Sequence, residues 1–167
     1  MTQTNIYLVG FMGSGKTTVG RTLAMRAGKN FLDLDRMIES RENRTINKIF
    51  SEAGENYFRK IEHIILKELS KETNTVIATG GGTFVDIENR QLIETSGSSI
   101  WLDLSFEETL KRLAKSARRP LATDKTKLKE LFQKRLLAYQ HADLRVEANG
   151  KTIEHLVGDI TSWIQKQ

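Results

Sequence analysis

Residues 10–17, which read Gly-Phe-Met-Gly-Ser-Gly-Lys-Thr, constrain the fold of this chain more than any other segment. They follow a short apolar run at residues 6–9 and precede a helical pattern over residues 16–27. A strand, a glycine-rich loop with G-x-x-x-x-G-K-[ST] spacing and a helix together form the phosphate-binding P-loop. A plain glycine turn before a helix is the alternative, but it would leave Lys16 unfavourably placed at the positive end of that helix.

Each residue type in this loop has a physical role in holding phosphate. Glycines let the backbone turn tightly, so that several N–H groups point into one concavity, and the helix adds its positive N-terminal end. Lys16 is placed to reach the β- and γ-phosphates of a nucleotide, and the Thr17 hydroxyl is placed to ligate Mg²⁺. The residues expected to bind the nucleotide here are Gly13, Ser14, Gly15, Lys16, Thr17 and Thr18.

The composition is ordinary for a soluble globular protein, with 167 residues, 38% of them hydrophobic and 28% charged. We expect one domain spanning residues 1–167. The net charge of +5 is spread along the chain, which suits small anionic ligands at least as well as nucleic acid. No apolar stretch approaches the roughly 18 residues that span a membrane, and the first predicted strand leaves no room for a signal peptide. We therefore expect a cytoplasmic protein, and the absence of cysteine excludes disulfides and thiolate metal sites.

Strand-like and helical patterns alternate along the chain, which predicts an α/β fold. The predicted strands are residues 5–9, 31–35, 75–79, 99–104 and 143–147. The predicted helices are residues 16–27, 36–42, 46–53, 55–72, 87–95, 106–116, 125–140 and 153–166. Such alternation favours a parallel sheet covered by helices on both faces, whose ligands bind beyond the carboxyl ends of the strands. The chemistry is therefore expected at, and just after, Gly10, Asp35, Gly80 and Ser105.

Two aspartates lie at the end of the second predicted strand. Asp33 and Asp35 are two residues apart, so a strand reaching Asp35 would place them on one face. An acidic pair in this position can hold Mg²⁺, directly or through water, or accept a proton from a hydroxyl group. The alternative is that Asp35 caps the helix beginning at Arg36 and that Asp33 is a surface strand residue.

Three consecutive glycines, Gly80, Gly81 and Gly82, follow the third predicted strand. A conventional Walker B strand would place a magnesium-binding aspartate there, whereas this chain offers bare backbone. Glycines permit close approach of the backbone to a ligand and positive φ angles. A flexible turn is the alternative.

Three arginines are candidates for binding anionic groups, because the planar guanidinium meets a carboxylate or phosphate with two hydrogen bonds. Arg59 could clamp a substrate carboxylate, with Glu62 holding it in place, or could simply form an i,i+3 pair with Glu62. Arg119 lies in a proline-containing loop and could act as an arginine finger, or be a solvated cation. Arg135 could likewise bind an anion, or extend its aliphatic stem along the surface.

Together these motifs resemble the shikimate kinases, small P-loop kinases of the nucleoside-monophosphate-kinase type. The similar segments are residues 10–20, 31–35, 54–62, 80–82 and 119–121, within a resemblance that covers nearly the whole chain. It implies a three-layer α/β/α P-loop fold with a five-stranded parallel sheet in the order 2-3-1-4-5 and a mobile lid over about residues 116–125. It also implies an ATP-dependent kinase that transfers the γ-phosphoryl group to the 3-hydroxyl of shikimate, giving shikimate 3-phosphate and ADP, in aromatic amino acid biosynthesis.

The resemblance assigns the acceptor site to a region of about residues 33–62 and to residues beyond it. Arg59 and Arg135 would meet the shikimate carboxylate, Phe58 would lie against the ring, and Asp35 would meet the ring hydroxyls and act as general base. The implied substrate-binding residues are Asp35, Phe58, Arg59, Gly80, Gly81, Gly82 and Arg135.

On the nucleotide side, the resemblance implies that Lys16 and Arg119 bind the phosphates and take part in catalysis with Asp35. Arg112 would line the adenine, together with the loop at residues 149–152. Thr17 would ligate one Mg²⁺ ion and Asp33 would bind it through water. The chain departs from the family pattern after Arg119, where a second leucine is replaced by alanine, and after Arg135, where the usual proline is missing.

Two other interpretations remain open from the sequence. Another small-molecule kinase, acting on gluconate or a nucleotide, would share the P-loop but lack the combination of Asp35, Arg59 and Gly81. A regulatory or nucleic-acid-binding P-loop module would lack kinase activity, and the missing Walker B aspartate argues against a motor ATPase. The favoured interpretation predicts a monomer that binds ATP and shikimate, and that binds neither nucleic acid nor membrane.

Overall fold

The computed structural model describes residues 4–116 and 124–167. The strands are β1 (Asn5–Val9), β2 (Asn30–Asp33), β3 (Thr75–Ala78), β4 (Gly97–Asp103) and β5 (Leu144–Glu147). The helices are α1 (Lys16–Ala27), α2 (Leu34–Glu42), α3 (Ile46–Leu69), α4 (Ile87–Ser96), α5 (Phe106–Lys115), α6 (Lys125–Tyr139) and α7 (Ile153–Ile164). A short 3₁₀ turn, Thr83–Val85, lies between β3 and α4. The predicted bounds of β1 and α1 are confirmed, and the ends of the other elements differ by no more than three residues.

The five strands form one parallel sheet in the order β2-β3-β1-β4-β5. This is the order 2-3-1-4-5 that the resemblance implied. β1 is central and pairs with β3 and β4, so its carboxyl end, where the P-loop begins, opens at the middle of the sheet. The loops that follow β1, β2 and β3 therefore leave the sheet side by side.

Alternate residues of β1 are buried on opposite faces of the sheet. Ile6 and Leu8 pack in a core with residues of α1 and α7. Tyr7 and Val9 pack in a second core with residues of α3, α4 and α6. Burial of one apolar side chain of this size contributes about 1.5–3 kcal/mol, so each face of the sheet is stabilised by its own helical layer. The three-layer α/β/α architecture is thereby confirmed.

The second strand ends two residues earlier than predicted. β2 stops at Asp33, whose side chain accepts a hydrogen bond from the Arg36 amide (3.2 Å) and so caps α2. Asp35 lies in the first turn of α2. The prediction that Asp33 and Asp35 share a strand face is wrong, and so is the alternative that Asp35 is the cap, because Asp33 already satisfies the free amide.

α3 is broken at Gly54, as the two predicted helices on either side of it required. Gly54 has φ 82° and ψ 170°, a conformation that is outside the helical region and essentially restricted to glycine. The break lets the second half of α3, which contains Phe58 and Arg59, follow its own direction toward the sheet. Among the helices that the structure describes, none is long and apolar enough to cross a membrane.

Candidate active site

The P-loop connects β1 to α1 and presents its backbone at the carboxyl edge of the sheet. Gly13 and Gly15 have φ angles of 77° and 97°, which turn the chain into the start of α1. The Lys16 ammonium folds across the loop and donates to the carbonyl oxygens of Gly10 (2.7 Å) and Phe11 (3.0 Å). The Lys16 ammonium therefore lies beside the concavity that the loop amides form.

The predicted metal-binding residues lie together beside the P-loop. The Thr17 hydroxyl donates to Oδ2 of Asp33 at 2.7 Å, which joins the first turn of α1 to the end of β2. A hydroxyl and a carboxylate oxygen next to a phosphate-binding loop are ligands of the kind that Mg²⁺ prefers. The donor set therefore fits a magnesium ion.

Of the two elements predicted near the adenine, the helix with Arg112 contacts the P-loop, and the loop after β5 contacts the start of that helix. Arg112, on α5, donates from Nη1 to the carbonyl oxygen of Gly13 at 3.0 Å. The side-chain oxygen of Asn149 accepts from the Ser105 amide (3.0 Å), immediately before α5. The loop after β5 and the helix with Arg112 are thus linked on one side of the P-loop.

The other predicted P-loop residues differ in exposure. Thr18 is exposed on α1, whereas Ser14 is 1% exposed. The Ser14 hydroxyl has no hydrogen-bond partner within residues 4–116 and 124–167. The Ser14 hydroxyl is thus a buried polar group whose hydrogen bonding is not satisfied by the described residues.

The three glycines after β3 form a floor on which three predicted site residues rest. A Cβ atom at Gly80 would lie 3.0 Å from Oδ1 of Asp35. One at Gly81 would lie 2.9 Å from Nη1 of Arg135, and one at Gly82 would lie 2.5 Å from Nη2 of Arg59. We call residues 80–82 the glycine floor.

The glycine floor has a different physical basis from the one expected. None of its glycines has a positive φ angle, so the expectation of unusual backbone torsions at residues 80–82 is wrong. Side chains from α2, α3 and α6 occupy the space that Cβ atoms would need. Crowding by these side chains is thus a reason for glycine at residues 80–82, and the predicted close approach to a ligand stays a prediction.

The glycine floor also touches the P-loop. A Cβ atom at Gly81 would lie 3.6 Å from the amide nitrogen of Met12 and 3.8 Å from the carbonyl oxygen of Gly10. The segment expected to bind the acceptor therefore lies next to the segment expected to bind the phosphates. Arg119 and most of the predicted lid lie outside the residues that the structure describes.

Arg59 is held in place by a buried carboxylate. Glu62 is 0% exposed and accepts from Nη1 of Arg59 at 2.7 Å. Its other oxygen accepts from the Thr83 hydroxyl, also at 2.7 Å. The two alternatives for Arg59, an i,i+3 pair with Glu62 and a guanidinium held in position by Glu62, therefore describe the same arrangement. The guanidinium also lies 5.1 Å from the centre of the Phe58 ring.

Arg135 lacks such a partner in the part of the chain that the structure describes, where it forms no salt bridge with a carboxylate. Its guanidinium lies 5.5 Å from the centre of the Phe11 ring. Burial lowers the pKa of Arg135, and the nearby Arg59 cation adds to this effect. A site with two arginines, of which only one is neutralised, attracts an anion such as a carboxylate.

Three residues of the site were not anticipated from the sequence. The Tyr139 hydroxyl donates to the Gly81 carbonyl oxygen at 2.5 Å. Thr83 binds Glu62, and the Asn89 side-chain nitrogen donates to the Thr83 carbonyl oxygen at 3.2 Å. Tyr139 lies four residues after Arg135 on α6, and this i,i+4 spacing could have indicated a shared helix face. No comparable signal marks Thr83 or Asn89.

Comparisons with known proteins agree with this geometry. A family model described as shikimate kinase matches residues 12–165. A shikimate kinase from Persephonella marina is 43% identical over 162 residues, covering 96% of this chain and 99% of that protein.

Two solved structures are similar as well. The Aquifex aeolicus shikimate kinase has a TM-score of 0.88 at 38% identity, covering 96% of each chain. The Acinetobacter baumannii shikimate kinase in complex with shikimate has a TM-score of 0.92 at 38% identity, covering 99% of this chain and 94% of the other. These similarities favour the first interpretation of the sequence over a gluconate or nucleotide kinase and over a regulatory module. The chain belongs to the shikimate kinase family.

Proposed function

We propose that the reaction of this family, transfer of the γ-phosphoryl group of ATP to the 3-hydroxyl of shikimate, takes place in the cleft between the P-loop and the glycine floor. The contact of Gly81 with Met12 and Gly10 is the observation that supports this location. Phosphoryl transfer requires donor and acceptor to be held in line and their charge to be neutralised. A cleft with phosphate-binding groups on one wall and carboxylate-binding groups on the other meets both needs.

On the acceptor wall, Arg59 and Arg135 bind the shikimate carboxylate. Arg59 is positioned by Glu62, and Arg135 gains the anionic partner that it lacks among the described residues. Phe58 is 4% exposed, and its ring provides an apolar surface for the shikimate ring. An acceptor without a carboxylate would leave Arg135 without an anionic partner, and Arg59 would keep only its pairing with glutamate, which is the basis of selectivity.

Asp35 accepts the proton of the 3-hydroxyl as general base. Its carboxylate lies over Gly80, on the same floor as the two arginines, and at the start of α2. A base must lie within hydrogen-bonding reach of the proton that it removes, and the position of Asp35 beside the glycine floor supports this role.

On the nucleotide wall, the residues proposed to bind ATP are Gly13, Ser14, Gly15, Lys16, Thr17, Thr18, Arg112 and Arg119. Lys16 reaches the β- and γ-phosphates after leaving its contacts with the loop carbonyls. Arg112 extends along the adenine from its contact with Gly13. We propose Arg119 as a phosphate ligand and catalytic residue on the lid, and this assignment rests on the family resemblance alone.

One Mg²⁺ ion would be held by Thr17 and, through water, by Asp33. When bound, it neutralises phosphate charge during transfer. The distance of 2.7 Å between the two side-chain oxygens supports this pairing of residues. We further propose a cytoplasmic monomer with one domain, an acceptor region near residues 33–62, and no nucleic acid or membrane partner.

The test is ADP release from purified protein with ATP and Mg²⁺. Shikimate, shikimate methyl ester, gluconate and nucleoside monophosphates serve as parallel acceptors. We expect release with shikimate and a large loss with the methyl ester, whose uncharged ester provides no anionic partner for Arg135. Equal turnover of the ester and the acid would contradict the arginine clamp, and turnover of gluconate alone would contradict the acceptor.

A further inference from the structure

Tyr139 links α6 to the glycine floor through one strong contact. Its side chain is 1% exposed, and its hydroxyl donates to the Gly81 carbonyl oxygen at 2.5 Å. Burial raises the pKa of the Tyr139 phenol well above its usual range, against a smaller opposing effect of the Arg135 cation. The phenol therefore remains protonated and stays a hydrogen-bond donor at any pH at which an ATP-dependent kinase works.

This contact orients the peptide between Gly81 and Gly82. In a trans peptide the carbonyl and the following N–H point in opposite directions. With the Gly81 carbonyl held by Tyr139, the Gly82 amide points away from α6. Within residues 4–116 and 124–167 that amide donates to no other group. It is thus available to a hydroxyl or carboxylate oxygen of a bound acceptor.

The glycine floor needs such a restraint for a physical reason. Glycines are required there because side chains occupy the Cβ space, yet a run of glycines has more conformational freedom than any other sequence. The hydrogen bond from Tyr139 removes part of that freedom at the central residue of the floor. The Tyr139 ring is itself packed, with its centre 5.9 Å from that of Trp101 on β4.

Tyr139 also lies next to Arg135. The two residues are four apart on α6, and their side chains interact electrostatically. A Cβ at Gly81 would lie 2.9 Å from Nη1 of Arg135, so the guanidinium and the phenol both meet the same glycine. One turn of α6 therefore fixes the Gly81 carbonyl and places a carboxylate-binding cation.

We propose that Tyr139 is a positioning residue for shikimate, which holds the Gly81–Gly82 peptide and Arg135 in the arrangement that binds the acceptor. This inference rests on the proposed acceptor site. It predicts that Tyr139 affects the binding of shikimate and not the binding of ATP, although the glycine floor lies next to the P-loop.

The test compares Tyr139→Phe with Tyr7→Phe in the full-length protein. Tyr7 is a matched control because it is also buried, and its hydroxyl forms a hydrogen bond of 2.7 Å with the Ser96 hydroxyl and not with the glycine floor. The dissociation constant for shikimate, the KM for each substrate and the Tm are measured for both variants. For Tyr139→Phe we expect about a tenfold weaker shikimate affinity and an ATP KM within twofold of wild type.

Two outcomes would overturn the proposal. One is an unchanged shikimate dissociation constant in Tyr139→Phe, and the other is an equal rise in both KM values. A lowered Tm in both variants, with weaker shikimate binding in Tyr139→Phe alone, would support it, because a purely structural role would affect both in the same way. If Tyr139→Phe does not fold, the amide resonances of Gly81 and Gly82 are followed in wild type on shikimate addition, and their failure to shift would overturn the proposal.

An Arg135→Ala variant separates this inference from the proposed function. If Arg135→Ala weakens shikimate binding and Tyr139→Phe does not, the acceptor site is correct and only the positioning role fails. If neither variant affects shikimate binding, the acceptor site itself is wrong.

Discussion

The two walls of the cleft are built in different ways. The nucleotide wall is centred on one continuous loop, the P-loop, whose backbone amides are proposed to bind phosphate. The acceptor wall is assembled from α2, α3, the glycine floor and α6, which contribute Asp35, Arg59, residues 80–82 and Arg135. A backbone site can be encoded by a short motif, whereas a side-chain site requires distant residues to meet and small residues to leave room for them. Substitutions on the nucleotide wall should therefore change the KM for ATP, and substitutions on the acceptor wall should change catalysis or the KM for shikimate.

The largest separation is expected at Asp35. Asp35→Asn keeps the shape of the side chain but removes the base, so we expect kcat to fall about 100-fold or more with the KM for ATP nearly unchanged. Steady-state kinetics with both substrates measure this. The control is Asp159→Asn, which alters an exposed carboxylate of α7 that pairs with Lys151. Wild-type turnover in Asp35→Asn would remove Asp35 from the chemistry.

A smaller but more specific effect is expected at the glycine floor. The Cβ of Gly82→Ala would collide with the Arg59 guanidinium, which can move only by disturbing its pairing with the buried Glu62 carboxylate, so the Tm is measured as well. Displacement of the Arg59 guanidinium from the shikimate carboxylate should raise the KM for shikimate about 10- to 100-fold, with the KM for ATP unchanged. The control is Gly158→Ala on α7, where a Cβ meets nothing within 4 Å. A rise in both KM values of Gly82→Ala would show that the two walls are not separate.

The converse effect is expected on the nucleotide wall. Arg112→Ala loses the hydrogen bond to the Gly13 carbonyl and the proposed contact with adenine. We expect the KM for ATP to rise up to about tenfold, while the shikimate dissociation constant measured without nucleotide stays the same. Weaker shikimate binding in this variant would contradict the separation.

The smallest effect concerns pH and reports on burial of the acceptor wall. The pKa of Tyr139 is raised in the folded protein, so the unfolded chain loses this proton first, near pH 10. The free energy of unfolding therefore falls as pH rises above about 10, by up to about 1.4 kcal/mol per pH unit for this group. Denaturation from pH 8 to 11 should show the stability gap between wild type and Tyr139→Phe narrowing at the alkaline end. A constant gap would mean that the phenol is not buried as described.

How much the sequence could predict follows the same division. The P-loop and the bounds of β1 and α1 could be predicted from local patterns, whereas the strand order followed from the family resemblance. The end of β2 was misplaced because only Asp35 was considered as a cap, and only the fold shows that the Asp33 carboxylate meets the Arg36 amide. Propensity and alternation do not distinguish two acidic residues that are two positions apart.

The sequence predicted the charged residues of the proposed acceptor wall, but not the residues that hold this wall in position. Arg59 and Arg135 were identified because guanidinium groups suggest anion binding and because of the resemblance. The tyrosine that holds Gly81 and the threonine that holds Glu62 were missed, because their roles depend on contacts between residues far apart in the chain. The reason for the three glycines was likewise hidden, since the side chains that need their space come from other elements.

The break in α3 has a consequence that concerns handedness. A Cβ at Gly54 would meet nothing within 4 Å, so residue 54 is restricted by its torsion angles and not by crowding. The mirror image of its backbone conformation, φ −82° and ψ −170°, lies at the edge of the extended region that ordinary L-residues adopt. Position 54 therefore excludes L-alanine for a reason of chirality, and a D-amino acid introduced there by chemical synthesis would have a natural torsional preference for the bend that separates the two halves of the helix.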